Sequence, residues 1–131
     1  MNGKSNFELV RDWMVKAGQE CPVSPKNATP RWELRETLIK EEFYEYLEES
    51  NPFVNTKYIK ELADLLIVTY GAFADLGIDA DEVVKIVAEN NTKKLKAKEV
   101  RADGKITTPR HIKQQLKEEV ETQLKNLILG D

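Results

Sequence analysis

The chain has 131 residues, a length that suits one domain with a modest core. Charged residues make up 33% and the net charge is −3, so the chain as a whole is not built to coat nucleic acid or an anionic membrane surface. One cysteine and one histidine exclude an intrachain disulfide and zinc sites rich in cysteine or histidine.

The N-terminus and the longest apolar stretch indicate where the protein is located. Residues 1–5 are polar and lack the apolar core of a signal peptide. The longest apolar stretch, residues 65–74, is far shorter than the roughly 20 residues that span a bilayer. We therefore expect a cytoplasmic protein without a membrane partner.

Start and stop signals divide the chain into about five helices. Ser5 and Glu8 form a capping box at the first start, and Gly18 suits the corresponding C-terminal cap. Thr29-Pro30 predicts the start of the second helix, whose apolar pattern reaches about Glu49. Residues 50–52 predict the end of this helix. A third helix is predicted from 55 or 56 to 76, before Gly77. A fourth is predicted from 79 to about 98 and a fifth from 108–109 to 129.

Carboxylates in the predicted second helix continue an apolar stripe. At about 100° per residue, Leu34, Leu38 and Glu45 fall within about 40° of one another. Glu41 and Glu42 flank them. This pattern predicts that the carboxylates face inward, toward other helices.

The predicted third helix is apolar nearly all round between residues 61 and 74, which is typical of a buried helix. Its charges in that stretch are Glu61 and Asp64, which are three positions apart and share one face. Ionised carboxylates in such surroundings need a metal ion, or a lysine or arginine that would make a structural ion-pair network.

Facing carboxylates on two helices would repel one another and raise their pKa values. A divalent cation removes that repulsion, and an all-oxygen ligand set favours Mg²⁺ or Mn²⁺ over zinc. We therefore expect a metal site on these two helices.

The predicted fourth helix offers a different chemistry. The apolar stripe that begins at Val83 continues into Asn91 and Lys94, which can meet phosphate and sugar oxygens. Arg101 and Lys105 follow on a turn and can close over an anion. The alternative is that these lysines only cover a solvated helix end.

The acidic motifs resemble those of a known superfamily. Glu41-Glu42-x-x-Glu45 followed by Glu61-x-x-Asp64 resembles the EExxE…ExxD signature of the all-α nucleoside triphosphate pyrophosphohydrolases. These include MazG-like enzymes, dimeric dUTPases, dCTP pyrophosphatases and phosphoribosyl-ATP pyrophosphohydrolase. The segments from Asn91 to Lys94 and from Asp103 to Lys105 resemble later elements of the MazG-like members. The resemblance covers residues 7–108, and we interpret the helix at 109–129 as an accessory or interface helix of the same single domain.

The resemblance implies an all-α bundle of about five helices that forms homodimers or homotetramers. It implies hydrolysis of a (d)NTP to the monophosphate and pyrophosphate, with Mg²⁺ as cofactor and Mn²⁺ as a substitute. Glu41 would be a further ligand or would orient the attacking water. The implied metal ligands are Glu42, Glu45, Glu61 and Asp64, which with Glu41 form the catalytic set, and the implied substrate contacts are Asn91, Lys94 and Lys105.

Two other functions remain open from the sequence. Phosphoribosyl-ATP pyrophosphohydrolase performs the same chemistry, although the context of the first motif here, residues 39–46, is poorer in alanine and glycine than is usual for those enzymes. A non-catalytic helical interaction module would use the last helix to bind a partner. A carboxylate-bridged di-iron bundle is disfavoured because the chain lacks Glu-x-x-His pairs.

Overall fold

The computed structural model describes residues 3–49 and 55–130, and it confirms an all-α fold. Two short strands form a small antiparallel hairpin that the sequence pattern does not predict. Within the described ranges, no helix combines the length and apolarity that crossing a membrane requires. The helices are α1 (Asn6–Lys16), α2 (Trp32–Glu48), α3 (Thr56–Leu76), α4 (Ala80–Lys94) and α5 (Arg110–Leu129), with 3₁₀ turns at Pro25–Asn27 and Leu95–Ala97 and strands β1 (Glu99–Val100) and β2 (Ile106–Thr107).

The chain divides into two compact units, unit 1 (Met1–Ala80) and unit 2 (Asp81–Asp131). In unit 1, α1 and α2 both pack on α3. Apolar side chains from α1, the C-terminal half of α3 and the first residue of α4 form its core. The buried members of that core are Phe7, Met14, Ala74 and Ala80.

Local signals set several helix ends as predicted. The Ser5 hydroxyl accepts the Glu8 N–H at 3.1 Å, and the Glu8 carboxylate accepts the Ser5 N–H at 3.0 Å, which confirms the capping box. The Asn55 side chain accepts the Tyr58 N–H at 2.8 Å and caps α3. Gly77 ends α3 with a φ of +69°, a left-handed conformation that glycine adopts without strain.

The predicted start of α2 at Thr29-Pro30 is wrong by about one half-turn, because the helix begins at Trp32. The N-cap residue is Arg31, whose backbone N–H donates to Asp75 Oδ2 at 3.3 Å. That acceptor lies on α3, so a contact distant in sequence sets this helix end. The predicted stop at residues 50–52 lies outside the described residues.

Unit 2 joins α4 to α5. Asn90 is 4% exposed, and its Nδ2 donates to the Leu116 carbonyl oxygen at 2.9 Å. The fourth helix ends at Lys94 rather than near Lys98, because the chain tightens into a 3₁₀ turn and Lys98 is already extended as it enters the hairpin. One face of α5 is apolar, and its residues are buried or partly buried: Ile112, Leu116, Val120, Leu124 and Leu127.

The expectation that α3 is buried all round is not met within one chain. Its buried residues are in the C-terminal half: Gly71, Ala74 and Asp75. Nearer its N-terminus, Leu62 and Leu66 are 47% and 48% exposed. Unit 1 therefore presents apolar helix surface to its surroundings.

Candidate functional site

Three glutamates of unit 1 come together where α2 packs on α3. Glu42 and Glu45 are three positions apart on α2 and share one face, while Glu61 lies near the start of α3. One carboxylate oxygen from each residue lies within 4.8 Å of the other two. We call Glu42, Glu45 and Glu61 the carboxylate triad.

The triad contains two oxygens without partners. Glu42 Oε2 and Glu61 Oε2 are buried and accept no hydrogen bond from any residue that the structure describes. Burial raises the pKa of Glu42, and the nearby charge of Glu45 raises it further. Burial also raises the pKa of Glu61, against an opposing effect from Lys60 and with a further rise from Glu45. Lys60, which pairs with Asp64, offsets part of this repulsion, but the pKa values of Glu42 and Glu61 stay raised.

This arrangement fits a divalent cation. A bound cation would replace the missing partners of both buried oxygens and cancel the repulsion. The donors are all carboxylate oxygens, which hard cations such as Mg²⁺ prefer. Three of the four ligands predicted from the sequence lie in this cluster.

The other two predicted acidic residues lie differently. Asp64 Oδ2 accepts a hydrogen bond from Lys60 Nζ at 2.7 Å, so an ion pair along α3 already engages it. The charge of Asp64 nevertheless raises the pKa of both Glu42 and Glu61, which makes it a close neighbour of the triad. Glu41 is exposed on α2 and is not a member of the cluster.

Unit 2 contains a cavity of about 570 Å³ that brings together the three predicted substrate contacts, Asn91, Lys94 and Lys105. It lies among the end of α4, the hairpin and the first turn of α5. We call it the basic cavity, because the four charged residues among its described lining are Lys94, Arg101, Lys105 and Lys113. Lys113 could not be singled out from the sequence, since nothing in the pattern of α5 links it to the hairpin.

Unit 1 also contains a buried ionic network that the sequence did not predict. Asp75 on α3 accepts hydrogen bonds from Arg31 and Arg35, each through both carboxylate oxygens, at 2.9 to 3.3 Å. Gln19 Oε1 accepts one further bond from each arginine at 3.0 Å. The available signal was the i, i+4 spacing of the two arginines, which places them on one face of the chain entering α2. The network ties α2 to α3, the helices that carry the triad.

Comparison with known families identifies the class. The model of the phosphoribosyl-ATP pyrophosphohydrolase family matches residues 12–91, and the chain belongs to this family, part of the MazG-like nucleotide pyrophosphohydrolase superfamily. The protein is therefore a hydrolase that acts on phosphoric anhydride bonds of a nucleotide substrate, and its family is typically metal-dependent. No curated protein matches the chain. The match includes the whole carboxylate triad and ends before Lys94.

Proposed function

We propose that the chain is a Mg²⁺-dependent nucleoside triphosphate pyrophosphohydrolase that converts a (d)NTP and water to the (d)NMP and pyrophosphate. The observation that carries the proposal is the pair of buried, unpartnered oxygens, Glu42 Oε2 and Glu61 Oε2, within the carboxylate triad. An all-oxygen site of this kind suits Mg²⁺, which keeps several waters and binds together with substrate phosphates. Mn²⁺ is expected to substitute.

In this proposal Glu42, Glu45 and Glu61 hold the cation directly. Asp64 becomes a fourth ligand by leaving Lys60, a change that costs little because their ion pair is partly exposed. When bound, the cation would neutralise phosphate charge and lower the pKa of a bound water. Glu41, which is free of ion pairs among the described residues, accepts the proton of the attacking water or serves as a further ligand.

The reaction would balance as a hydrolysis. The water oxygen forms a bond to phosphorus, and the anhydride bond between the α- and β-phosphates breaks. One product is the monophosphate and the other is pyrophosphate. Asn91, Lys94 and Lys105 contact phosphate oxygens, since phosphoryl transfer requires mainly positioning and electrostatic stabilisation.

Phosphoribosyl-ATP is the second candidate substrate. The family model that matches residues 12–91 carries that activity in its description. The bond broken would again be the anhydride between the α- and β-phosphates, so the triad would serve both substrates in the same way. Direct comparison of the two substrates distinguishes these candidates.

The test is pyrophosphate release from a panel of canonical and modified (d)NTPs and from phosphoribosyl-ATP, with Mg²⁺ and with EDTA. We expect release with Mg²⁺ alone, and the ranking of substrates identifies the preferred base and sugar. Glu61→Gln keeps the shape of the side chain but loses a ligand charge, so its activity should fall by more than the roughly 10–100-fold that loss of a partner behind a metal ligand costs. Glu36→Gln is the matched control, since Glu36 is exposed on α2 outside the triad. Absence of release from every substrate, or full turnover by Glu61→Gln, would overturn the proposal.

We further propose that the active form is a homodimer or homotetramer built on the whole chain as one functional domain, with α5 as an accessory helix. The support is the apolar surface of unit 1, where Phe43 on α2 is 44% exposed and Leu66 on α3 is 48% exposed. A second copy of the chain would remove this surface from water, which is the main favourable contribution in most protein association.

A further inference from the structure

All charged side chains in the described lining of the basic cavity are positive. Its described lining carries four basic side chains, Lys94, Arg101, Lys105 and Lys113, and no carboxylate. Its remaining lining is neutral. The cavity therefore gathers positive charge from three parts of unit 2: the end of α4, the hairpin and α5.

Among the described residues, three of these four basic side chains have no ion-pair partner. Arg101 Nη2 forms an ion pair with Asp103 Oδ2 at 2.7 Å. Lys94, Lys105 and Lys113 make no ion pair with any residue in the described part of the chain. Like charges around one cavity repel one another, and a multiply charged anion relieves that repulsion for all of them at once.

The neutral lining adds hydrogen-bond donors that suit an oxyanion such as phosphate. The Asn91 amide and the Thr108 hydroxyl add hydrogen-bond donors beside the ammonium groups, and phosphate oxygens are strong acceptors. A volume of about 570 Å³ lies in the range of roughly 300–1,000 Å³ typical of small-molecule sites. A cavity of this size can accept a chain of several phosphates.

Lys113 lines this cavity from the first turn of α5, with an exposed side chain. It lies on α5 three residues before Leu116, which is 7% exposed. The buried Asn90 side chain donates to the Leu116 carbonyl oxygen, which holds this turn of α5 against α4. Packing and hydrogen bonding thus present the Lys113 side chain to the cavity from outside the family match at residues 12–91.

We propose that Lys113 is a further phosphate ligand of the basic cavity, and that the cavity binds a polyphosphate chain without a metal ion. The proposal rests on the proposed function, which already places Asn91, Lys94 and Lys105 on substrate phosphates, and it adds Lys113 and independence from a metal ion. The cavity would bind the phosphates through its own cations, without a contribution from the carboxylate triad.

The experiment is calorimetric titration of the full-length protein with inorganic tripolyphosphate in EDTA. We expect the wild-type protein to bind, Lys113→Gln to bind about tenfold more weakly, and Lys113→Arg to restore most of the affinity, because a charged hydrogen bond is lost and then replaced. Lys125→Gln is the matched control, since it removes the same charge from α5 more than three turns away from Lys113. Absence of binding to the wild-type protein, or equal binding by Lys113→Gln, would overturn the proposal.

Two further measurements separate this proposal from the proposed function. A nucleoside triphosphate in EDTA should compete with tripolyphosphate, whereas failure to compete would exclude the nucleotide as the source of the chain. Glu61→Gln should bind tripolyphosphate as the wild type does, whatever its hydrolytic activity. If that variant hydrolyses substrate normally, the proposed function fails while the cavity proposal stands, and loss of binding in that variant would contradict the cavity proposal alone.

Discussion

Arg35 on α2 and Asp75 on α3 form a two-pronged buried ion pair, with Nε donating to Oδ2 at 2.9 Å and Nη2 donating to Oδ1 at 3.0 Å. Their side chains are 10% and 3% exposed. Gly71 leaves room for the guanidinium, since a Cβ at that position would lie 2.8 Å from Arg35 Nη1. The pair fixes how α2 lies along α3, and the carboxylate triad depends on that packing.

Asp75→Asn should lower the free energy of unfolding by about 3 kcal/mol, because it leaves the Arg35 guanidinium buried without its counter-charge. Urea denaturation measures the change without screening the remaining charges. Asp12→Asn is the matched control: Asp12 pairs with Lys4 on the surface, and the loss there should be much smaller. Equal losses at the two positions would show that burial adds nothing to the Arg35–Asp75 pair.

The same carboxylate predicts a dependence of stability on pH. Burial alone would raise the pKa of Asp75, but hydrogen bonds from Arg35 and Arg31 outweigh it and hold the pKa below its ordinary value of 3.8. Between the folded and unfolded pKa values the unfolded chain binds more protons. The contribution of Asp75 is therefore complete above about pH 4 and is lost as the pH falls through the folded pKa.

Urea titrations of the wild type and Asp75→Asn at several pH values test this sign. We expect the difference in their free energies of unfolding to be constant near neutrality and to shrink as the pH falls below about 4. A difference that grows on acidification would mean that the pKa of Asp75 is raised in the folded protein.

The elements that the sequence predicted well are those with local causes. The Ser5–Glu8 capping box and the stop at Gly77 depend on residues within one turn of the helix end. The start of α2 was misplaced because Asp75, which is 44 positions away, accepts the Arg31 N–H. No local pattern encodes a contact at that separation.

The sequence also predicted only the local part of the candidate site, which is the face of each helix that carries the carboxylates. The i, i+3 spacings of Glu42 with Glu45 and of Glu61 with Asp64 gave the face of each helix. The spacings did not predict how the two helices align along each other. That alignment brings Glu61 into the triad, while Asp64 pairs with Lys60. Lys113 was missed because its cavity exists only through tertiary packing in unit 2.

Glu61→Gln should have opposite effects on stability without and with Mg²⁺. In EDTA at neutral pH it should raise the melting temperature, because the raised pKa of Glu61 means that its ionised form is unfavourable in the folded chain, and the amide can donate to a neighbouring carboxylate. Mg²⁺ should raise the melting temperature of the wild type, since a ligand of the folded state alone stabilises it, but not that of the variant.

Scanning calorimetry at neutral pH with EDTA or with excess Mg²⁺ makes both comparisons. Glu36→Gln removes a glutamate charge from α2 outside the triad and should respond to Mg²⁺ like the wild type. If Glu61→Gln melts at a lower temperature than the wild type in EDTA, the ionised Glu61 carboxylate stabilises the metal-free protein. The triad would then not need a cation. Equal stabilisation of the wild type and Glu61→Gln by Mg²⁺ would place the cation elsewhere.

Leu66→Asp should break the proposed oligomer, because Leu66 is 48% exposed on the apolar surface of α3 in a single chain. Fully burying a leucine contributes about 1.5–3 kcal/mol, and roughly half of that remains for a half-exposed leucine at an interface. An unpaired carboxylate at the interface adds a desolvation penalty, so the dissociation constant should rise at least about 10-fold. Light scattering after size-exclusion chromatography should change from a multiple of 15.0 kDa toward the monomer. Val23→Asp, at a loop residue that is 85% exposed, should leave the mass unchanged. A wild-type protein that stays monomeric at high concentration would contradict the oligomer, and unchanged assembly of a folded Leu66→Asp variant would place the interface on another face of the chain.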